Sequence, residues 1–254
     1  MEALEHPSPL VEAINALLGP MGLHVPDYLV FCALIVLIVL TVGLIIRSKL
    51  SVDNPSRLQI VLEDITTFIV AQLDAAIGHG KGRQYLALCG GIFIFILLGN
   101  LMGQVPGLGS PTSNINVPFG CALTVWLYYH FQGIRAQGIG SYLLHFAFPP
   151  GVPKVMAPLM LPIEIISHLS RVLSLTLRLF GNIFGEHLVV LIIASIVPLI
   201  APLPIQMLGL IVGPLQAFIF LTLGAIYLTA ATHVDDHGDE FNDPAAHHPH
   251  AQTH

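Results

Sequence analysis

Long stretches of this chain contain no charged residue, and few folds tolerate such stretches. Residues 28–46 and 85–105 form uncharged runs of 19 and 21 residues, and residues 115–134 form a third run. A helix of about 20 apolar residues spans a hydrocarbon core of about 30 Å. We therefore predict membrane-embedded helices at these three places.

The composition supports this interpretation and excludes an ordinary soluble enzyme. Only 9% of the 254 residues are charged, whereas a soluble domain carries about 25%. The net charge of −6 and the absence of a phosphate-binding glycine motif give no sign of a nucleic-acid partner. We predict no cofactor and no metal site.

The segments outside these three uncharged runs differ from one another in polarity. Residues 1–27 contain four acidic residues and no Lys or Arg, which predicts an external N-terminal segment with a surface helix over residues 10–18. Residues 55–80 mix charges with an apolar pattern and indicate an amphipathic surface segment. Residues 28–232 form a single membrane domain, and residues 233–254 form a cytoplasmic tail rich in His and Asp.

Basic residues predict the orientation, because Lys and Arg near the ends of spans stay preferentially in the cytoplasm. Seven of them lie between the first two helices or after the third: Arg47, Lys49, Arg57, Lys81, Arg83, Arg135 and Lys154. Three crossings place both loops on one side. We expect the N-terminus outside and the C-terminus in the cytoplasm.

A proline-free segment of 35 residues follows, at 163–197. A straight helix of that length measures about 52 Å, which exceeds the hydrocarbon core. We predict a strongly tilted helix over 159–197 and a second one over 205–232, together forming a long hairpin. The expected fold is an all-α polytopic membrane protein with about five membrane-embedded helices.

The helix over 159–197 carries four charged residues, and most of its polar residues share one face. At 100° per residue, five polar residues lie within about 40° of Arg178, namely Glu164, Ser167, Arg171, Ser174 and Asn182. Glu186 lies on the flank of this stripe, and His187 lies on the opposite face. Each ionised residue at the bilayer centre costs about 2.5–3.5 kcal/mol, so the stripe requires a partner or an aqueous cavity.

Two interpretations of these charges are open. Glu164 with Arg171, and Arg178 with Glu186, could neutralise one another, or the stripe could serve ion transport. For Arg178, which has apolar neighbours on both sides, we favour transport. Gln216 is the deepest polar residue of the last helix and by default bonds to a neighbouring helix.

Several motifs resemble one protein family. They are Ser-Leu-Thr-Leu-Arg-Leu-Phe-Gly-Asn at 174–182 with Gly185 and Glu186 following, Leu-Gln-Ala-Phe-Ile-Phe at 215–220, Gly-Asn-Leu-Met at 99–102, and Pro-Thr-Ser-Asn-Ile-Asn at 111–116. Together they resemble subunit a of the membrane sector of rotary F-type ATP synthases, over residues 60–232. Glu164, fourteen residues before the arginine, also matches.

The resemblance implies a stator in the bacterial plasma membrane that conducts ions through two half-channels against a rotating ring of c subunits. Its other partners would be the peripheral-stalk b subunits, the rest of the complex and the lipid bilayer, and it would have no catalytic site of its own. Arg178 would separate the half-channels, with Asn182 and Gln216 close to it. Glu164 and Ser167 would line the cytoplasmic half-channel.

This chain departs from the family pattern in the external half-channel. Many relatives have an acidic residue or a histidine nine residues after the arginine, paired with one seven residues before the glutamine. Here those positions are His187 and Gly209, and Glu186 is adjacent. We expect both Glu186 and His187 to line this channel. Some relatives also have Asp where this chain has Gly103, and Asn116 or Gln104 are candidate substitutes.

Two other classes of protein were considered. A self-contained secondary transporter also uses charges at the membrane midplane, but such proteins usually contain internal repeats, which this sequence lacks. A membrane scaffold would leave Arg178 without a function. The choice between H⁺ and Na⁺ stays open, because the ion-binding carboxylate would belong to the ring.

Overall fold

The computed structural model describes residues 9–18, 24–51, 54–78, 80–105, 108–140, 142, 157–197 and 200–232, and these residues form helices and short connections with no β-strand. The helices are α1 (Pro9–Leu18), α2 (Asp27–Lys49), α3 (Arg57–Ile77), α4 (Gly82–Tyr85), α5 (Gly91–Met102), α6 (Asn116–Gln137), α7 (Ala157–Ile196) and α8 (Leu203–Thr232). A π-helical turn, Leu86–Gly90, joins α4 to α5. The predicted tail at 233–254 lies outside the described residues.

Four helical segments are long and apolar enough to cross a membrane: Asp27–Lys49, Gly82–Met102, Leu161–Ile196 and Leu203–Ala231. The prediction of an all-α polytopic membrane protein is therefore confirmed. Helix α6 forms where the third span was predicted, but it is more polar than these four because its second half contains Tyr128, Tyr129, His130 and Gln132.

Helix α3 is amphipathic, as predicted, and its apolar face packs inside the protein. Ser56 caps its first turn by accepting a hydrogen bond from the Gln59 backbone N–H at 3.2 Å. Ile69 and Leu73 are buried in a cluster with residues of α8. The Thr229 hydroxyl of α8 donates to the Ala76 carbonyl of α3 at 3.0 Å. The position of α3 at the membrane surface stays a prediction.

The core lies among α3, α5, α6, α7 and α8, where small residues of α8 allow close approach. Ala217 and Ala225 are fully buried, and Gly224 faces Val125 of α6. Since lipid tails are as apolar as leucine, helices in a membrane associate through close packing and hydrogen bonds. The helix–helix contacts of α8 follow this rule.

Helices α7 and α8 form the predicted hairpin. Helix α7 continues for 40 residues through Pro162, which makes it about 60 Å long, twice the thickness of a hydrocarbon core. Leu175, Leu179 and Ile183 form its buried face at four-residue spacing. Its tilt relative to the bilayer stays a prediction.

A buried polar network joins α5 to α8. The Asn100 amide donates to the Gly213 carbonyl at 3.0 Å and accepts from the Thr112 hydroxyl at 2.7 Å. Thr112 also shares a hydrogen bond with Ser110 at 2.7 Å. Asn100, Thr112 and Ser110 are all buried, so each hydrogen bond satisfies a group that water cannot reach.

This network predicts a stability defect in the Asn100→Leu variant. The substitution removes two buried hydrogen bonds and should lower the free energy of unfolding by about 1–2 kcal/mol. Thermal unfolding in detergent measures the loss. Thr124→Val is the control, because the exposed Thr124 hydroxyl bonds only to the Gly120 carbonyl of its own helix. Equal midpoints for both variants would show that the network does not stabilise the fold.

Candidate functional site

Arg178 lies in the middle of α7 on the face turned away from the core. Its neighbours Leu175 and Leu179 are buried, whereas Arg178, Ser174 and Asn182 are exposed. Within the described part of the chain, no carboxylate lies at ion-pairing distance from the Arg178 guanidinium. The chain therefore presents a cation on a helix surface whose other exposed side chains are uncharged.

One helical turn beyond Arg178, two amides connect the hairpin. Asn182 donates to the Gln216 side-chain oxygen at 2.9 Å. Gln216 is only 2% exposed, and its amide nitrogen has no hydrogen-bond partner among the described residues. The expected proximity of Asn182 and Gln216 is present in the structure, and it fixes the α7–α8 contact next to Arg178.

A second polar group lies toward the C-terminal end of α7. The Gln104 amide donates to the Glu186 carboxylate at 2.7 Å. A Cβ atom built on Gly209 of α8 would overlap that carboxylate, so Glu186 occupies space that only a glycine leaves open. A Cβ atom on Gly103 would lie 3.3 Å from the His187 imidazole Nε2. We call Glu186, Gln104, His187 and the two glycines the outer cluster.

A third polar group lies toward the N-terminal end of α7. The His168 imidazole contacts the Glu164 carboxylate at 3.2 Å through Nε2 and the Tyr129 hydroxyl at 2.7 Å through Nδ1. His168 and Tyr129 are buried, and Glu164 is half-buried. We call these three residues the inner cluster. Ser167, which precedes His168, is half-buried.

The structure divides the polar stripe that was predicted around Arg178. The Arg171 guanidinium lies 5.2 Å from the centre of the Tyr227 ring of α8, a cation–π contact, and Glu164 contacts His168. Glu186 bonds to Gln104. These contacts do not show the alternative of mutual neutralisation, of Glu164 by Arg171 and of Arg178 by Glu186.

Sequence reasoning missed Tyr129 and the pairing of His168. The pairing had a signal, because Glu164 and His168 are four residues apart and such residues meet on a helix surface. Tyr129 comes from another helix, 39 residues away in sequence, so no local pattern marks it. Of the two candidate substitutes in the outer cluster, Gln104 reaches Glu186, whereas Asn116 is exposed at the start of α6.

Comparison with known proteins identifies the family. The family model described as ATP synthase A chain matches residues 29–229. This chain belongs to the ATP synthase subunit a family. It is 41% identical over 227 residues to ATP synthase subunit a of Solibacter usitatus, which covers 87% of this chain and 96% of that protein.

Two further relatives of the subunit a family give the same result. ATP synthase subunit a of Campylobacter jejuni is 41% identical over 84% of this chain and 93% of its own length. The protein of that name from Campylobacter fetus is 42% identical over 85% of this chain and 94% of its own length. Membership in the subunit a family implies a multi-pass membrane subunit of an F-type ATP synthase that takes part in ion transport and ATP synthesis.

The Glu186 carboxylate occupies the space that a side chain at position 209 would need. We therefore predict that a second carboxylate at position 209 impairs proton pumping as long as Glu186 is present. Gly209→Glu should displace the Glu186 carboxylate and slow ATP-driven proton pumping in membrane vesicles, because two carboxylates cannot share that space. Adding Glu186→Gly should restore pumping in part, since one carboxylate then fills the same space from α8. Gly43→Ala, where a new Cβ meets nothing within 4 Å, is the control. A double variant no faster than Gly209→Glu would contradict the shared space.

Proposed function

We propose that this chain is the stator that conducts protons through two offset half-channels past Arg178, against a rotating ring of c subunits. The observation that carries the proposal is an exposed arginine in the middle of a long apolar helix, with a separate polar cluster on each side of it. Proton flow through the half-channels would turn the ring and drive ATP synthesis elsewhere in the complex.

Arg178 lacks a carboxylate partner among the described residues, and this supports a partner outside the chain. A charged side chain at the centre of a bilayer is expensive, and such residues almost always pair with another group or face water. Arg178 has no carboxylate partner among the described residues, so a carboxylate of the ring would complete the pair. The guanidinium does not lose its proton, so it attracts that carboxylate in ionised form without relaying a proton itself.

The two clusters fit two half-channels by their spacing along α7. Glu164 precedes Arg178 by 14 residues and Glu186 follows it by eight. At 1.5 Å per residue these intervals are about 21 Å and 12 Å along the helix axis, so Arg178 lies between two clusters that are about 33 Å apart. The inner cluster together with Ser167 would form the cytoplasmic half-channel. The outer cluster, which includes His187, would form the external half-channel.

The exposed face of α7 is suited to a neighbouring helix. Ser170, Ser174 and Gly181 are exposed around Arg178, and small residues let helices approach closely in membranes. This face would contact the c ring. Helix α2 exposes Leu37, Leu40 and Leu44, a surface for lipid or for the peripheral-stalk b subunits.

The proposed location is the bacterial plasma membrane, with the N-terminus outside and the C-terminus in the cytoplasm. Charge supports this orientation, because Arg47 and Lys49 occupy the last turn of α2 and Arg135 occupies the last turn of α6. Family membership favours the stator over the self-contained secondary transporter.

The first test of the proposal is the charge of Arg178. Arg178→Ala and Arg178→Lys should abolish proton-driven ATP synthesis while the subunit still assembles, since Arg178 contributes nothing to the buried core. Synthesis is measured in vesicles without added Na⁺, and assembly by co-purification with the c ring. Arg135→Ala, an exposed arginine at the end of α6, is the matched control. Normal synthesis in either Arg178 variant would overturn the proposal.

The second test concerns the external half-channel. Glu186→Gln and His187→Gln should each slow ATP-driven proton pumping, because each removes a titratable group but keeps a polar side chain of similar size. The exposed residues Asp64 and His24 provide matched controls, as Asp64→Asn and His24→Gln. If both variants pump at the wild-type rate, the external half-channel lies elsewhere.

A further inference from the structure

We propose that His168 is a second proton-carrying residue of the cytoplasmic half-channel, exchanging a proton with Glu164 while Tyr129 holds its imidazole ring in place. This inference rests on the proposed function, because it adds a residue to the half-channel assigned to Glu164. It concerns the inner cluster, whose contacts come from both α6 and α7.

The geometry engages both nitrogens of the imidazole. Nε2 lies 3.2 Å from the Glu164 Oε1 and Nδ1 lies 2.7 Å from the Tyr129 hydroxyl. The His168 side chain is 10% exposed and the Glu164 side chain is 34% exposed. Protons from the aqueous side would therefore reach Glu164 first and His168 second. The Tyr129 ring stacks on His168 with centroids 5.8 Å apart, which limits rotation of the imidazole.

The inner cluster keeps its hydrogen bonds in more than one protonation state. With Glu164 ionised and His168 neutral, Nε2–H donates to the carboxylate and the Tyr129 hydroxyl donates to Nδ1. With a proton added to His168, both ring nitrogens donate, and Tyr129 accepts after its hydroxyl rotates. If the Nε2 proton then moves to Glu164, the carboxyl O–H donates back to Nε2. No heavy atom has to move in this cycle.

Other charged and titratable groups lie in or beside the inner cluster. Tyr129 and His130 of α6 contact the His168 ring, Arg171 follows His168 on α7 and contacts Tyr227 of α8, and Tyr142 contacts His130. The ring centroids of His130 and His168 are 5.0 Å apart. The positive charge of Arg171 opposes a lasting charge on His168, and ionised Glu164 favours one. A residue held between opposing charges is suited to brief occupancy by a proton.

Two substitutions separate the contacts of His168. Asn places its amide near the position of Nδ1 and keeps the Tyr129 contact, whereas Gln reaches the position of Nε2 and keeps the Glu164 contact. Neither amide takes up a proton. Proton conduction is measured in membrane vesicles from which the catalytic sector has been removed, as a function of pH on the cytoplasmic face. Thr176→Val is the control, because the buried Thr176 hydroxyl bonds only to the Val172 carbonyl of its own helix.

We expect both variants, His168→Asn and His168→Gln, to conduct at least about tenfold more slowly than wild type and to lose the pH dependence that a titrating histidine confers. Added imidazole should accelerate conduction by a His168→Ala variant. Tyr129→Phe should cause a smaller loss of proton conduction, since His168 is still present to carry the proton. Co-purification with the c ring establishes that each variant has assembled.

Three results would overturn the inference. The first is conduction at the wild-type rate by His168→Gln. The second is a uniform slowing of conduction that keeps the wild-type pH profile and that added imidazole does not relieve. The third is failure of every His168 variant to assemble, which would mean that the His168 imidazole only packs. Arg178→Ala, measured in vesicles that retain the catalytic sector, separates the two proposals. If it retains coupled proton pumping, the proposed function fails; if it loses pumping while His168 variants conduct normally, only the inference fails.

Discussion

The structure depends on one electrostatic constraint, the cost of keeping the Arg178 guanidinium charged on the surface of an apolar helix. Insertion of such a charge costs about 2.5–3.5 kcal/mol, and no carboxylate among the described residues offsets it. Leu175, Leu179 and Ile183 pack a neighbouring face of α7 into the core, and Arg178 remains on the exposed side. The fold thus maintains a charge that becomes favourable only when a partner supplies the counter-charge.

The polar side chains around this arginine are arranged so that they cannot neutralise it. Glu186 is turned away by its hydrogen bond to Gln104 and fits into the space left by Gly209. Glu164 is turned toward His168. Each carboxylate that shares α7 with Arg178 therefore has its own partner, and Arg178 remains available to the ring carboxylate that we propose as its partner. The same contacts leave a titratable group on each side of the arginine along the helix axis.

Much of this architecture could be predicted from the sequence, because membrane spans and buried charges follow from local rules. Uncharged runs located the helices within a few residues, and motifs around Arg178 and Gln216 identified the family. What could not be predicted depends on contacts between helices. Helical periodicity places Glu164 and Arg171 on the Arg178 stripe. In the structure Glu164 contacts His168, which bonds to Tyr129 of α6, and Arg171 contacts Tyr227 of α8, and both tyrosines come from distant parts of the sequence. The fit of Glu186 to Gly209 likewise required the relative register of α7 and α8.

In the proposed assembly, the exposed face of α7 contacts the ring, and the Arg178 guanidinium pairs with a ring carboxylate. The most direct test is an experimental structure of the intact complex in a lipid bilayer, with the distance measured from the Arg178 guanidinium to the nearest ring carboxylate. We expect the ring to cover Ser174, Arg178 and Asn182. When a ring carboxylate passes, it should lie within about 4 Å of the guanidinium or contact it through one water molecule. Lipid against that face of α7, with every ring carboxylate facing another helix, would contradict it.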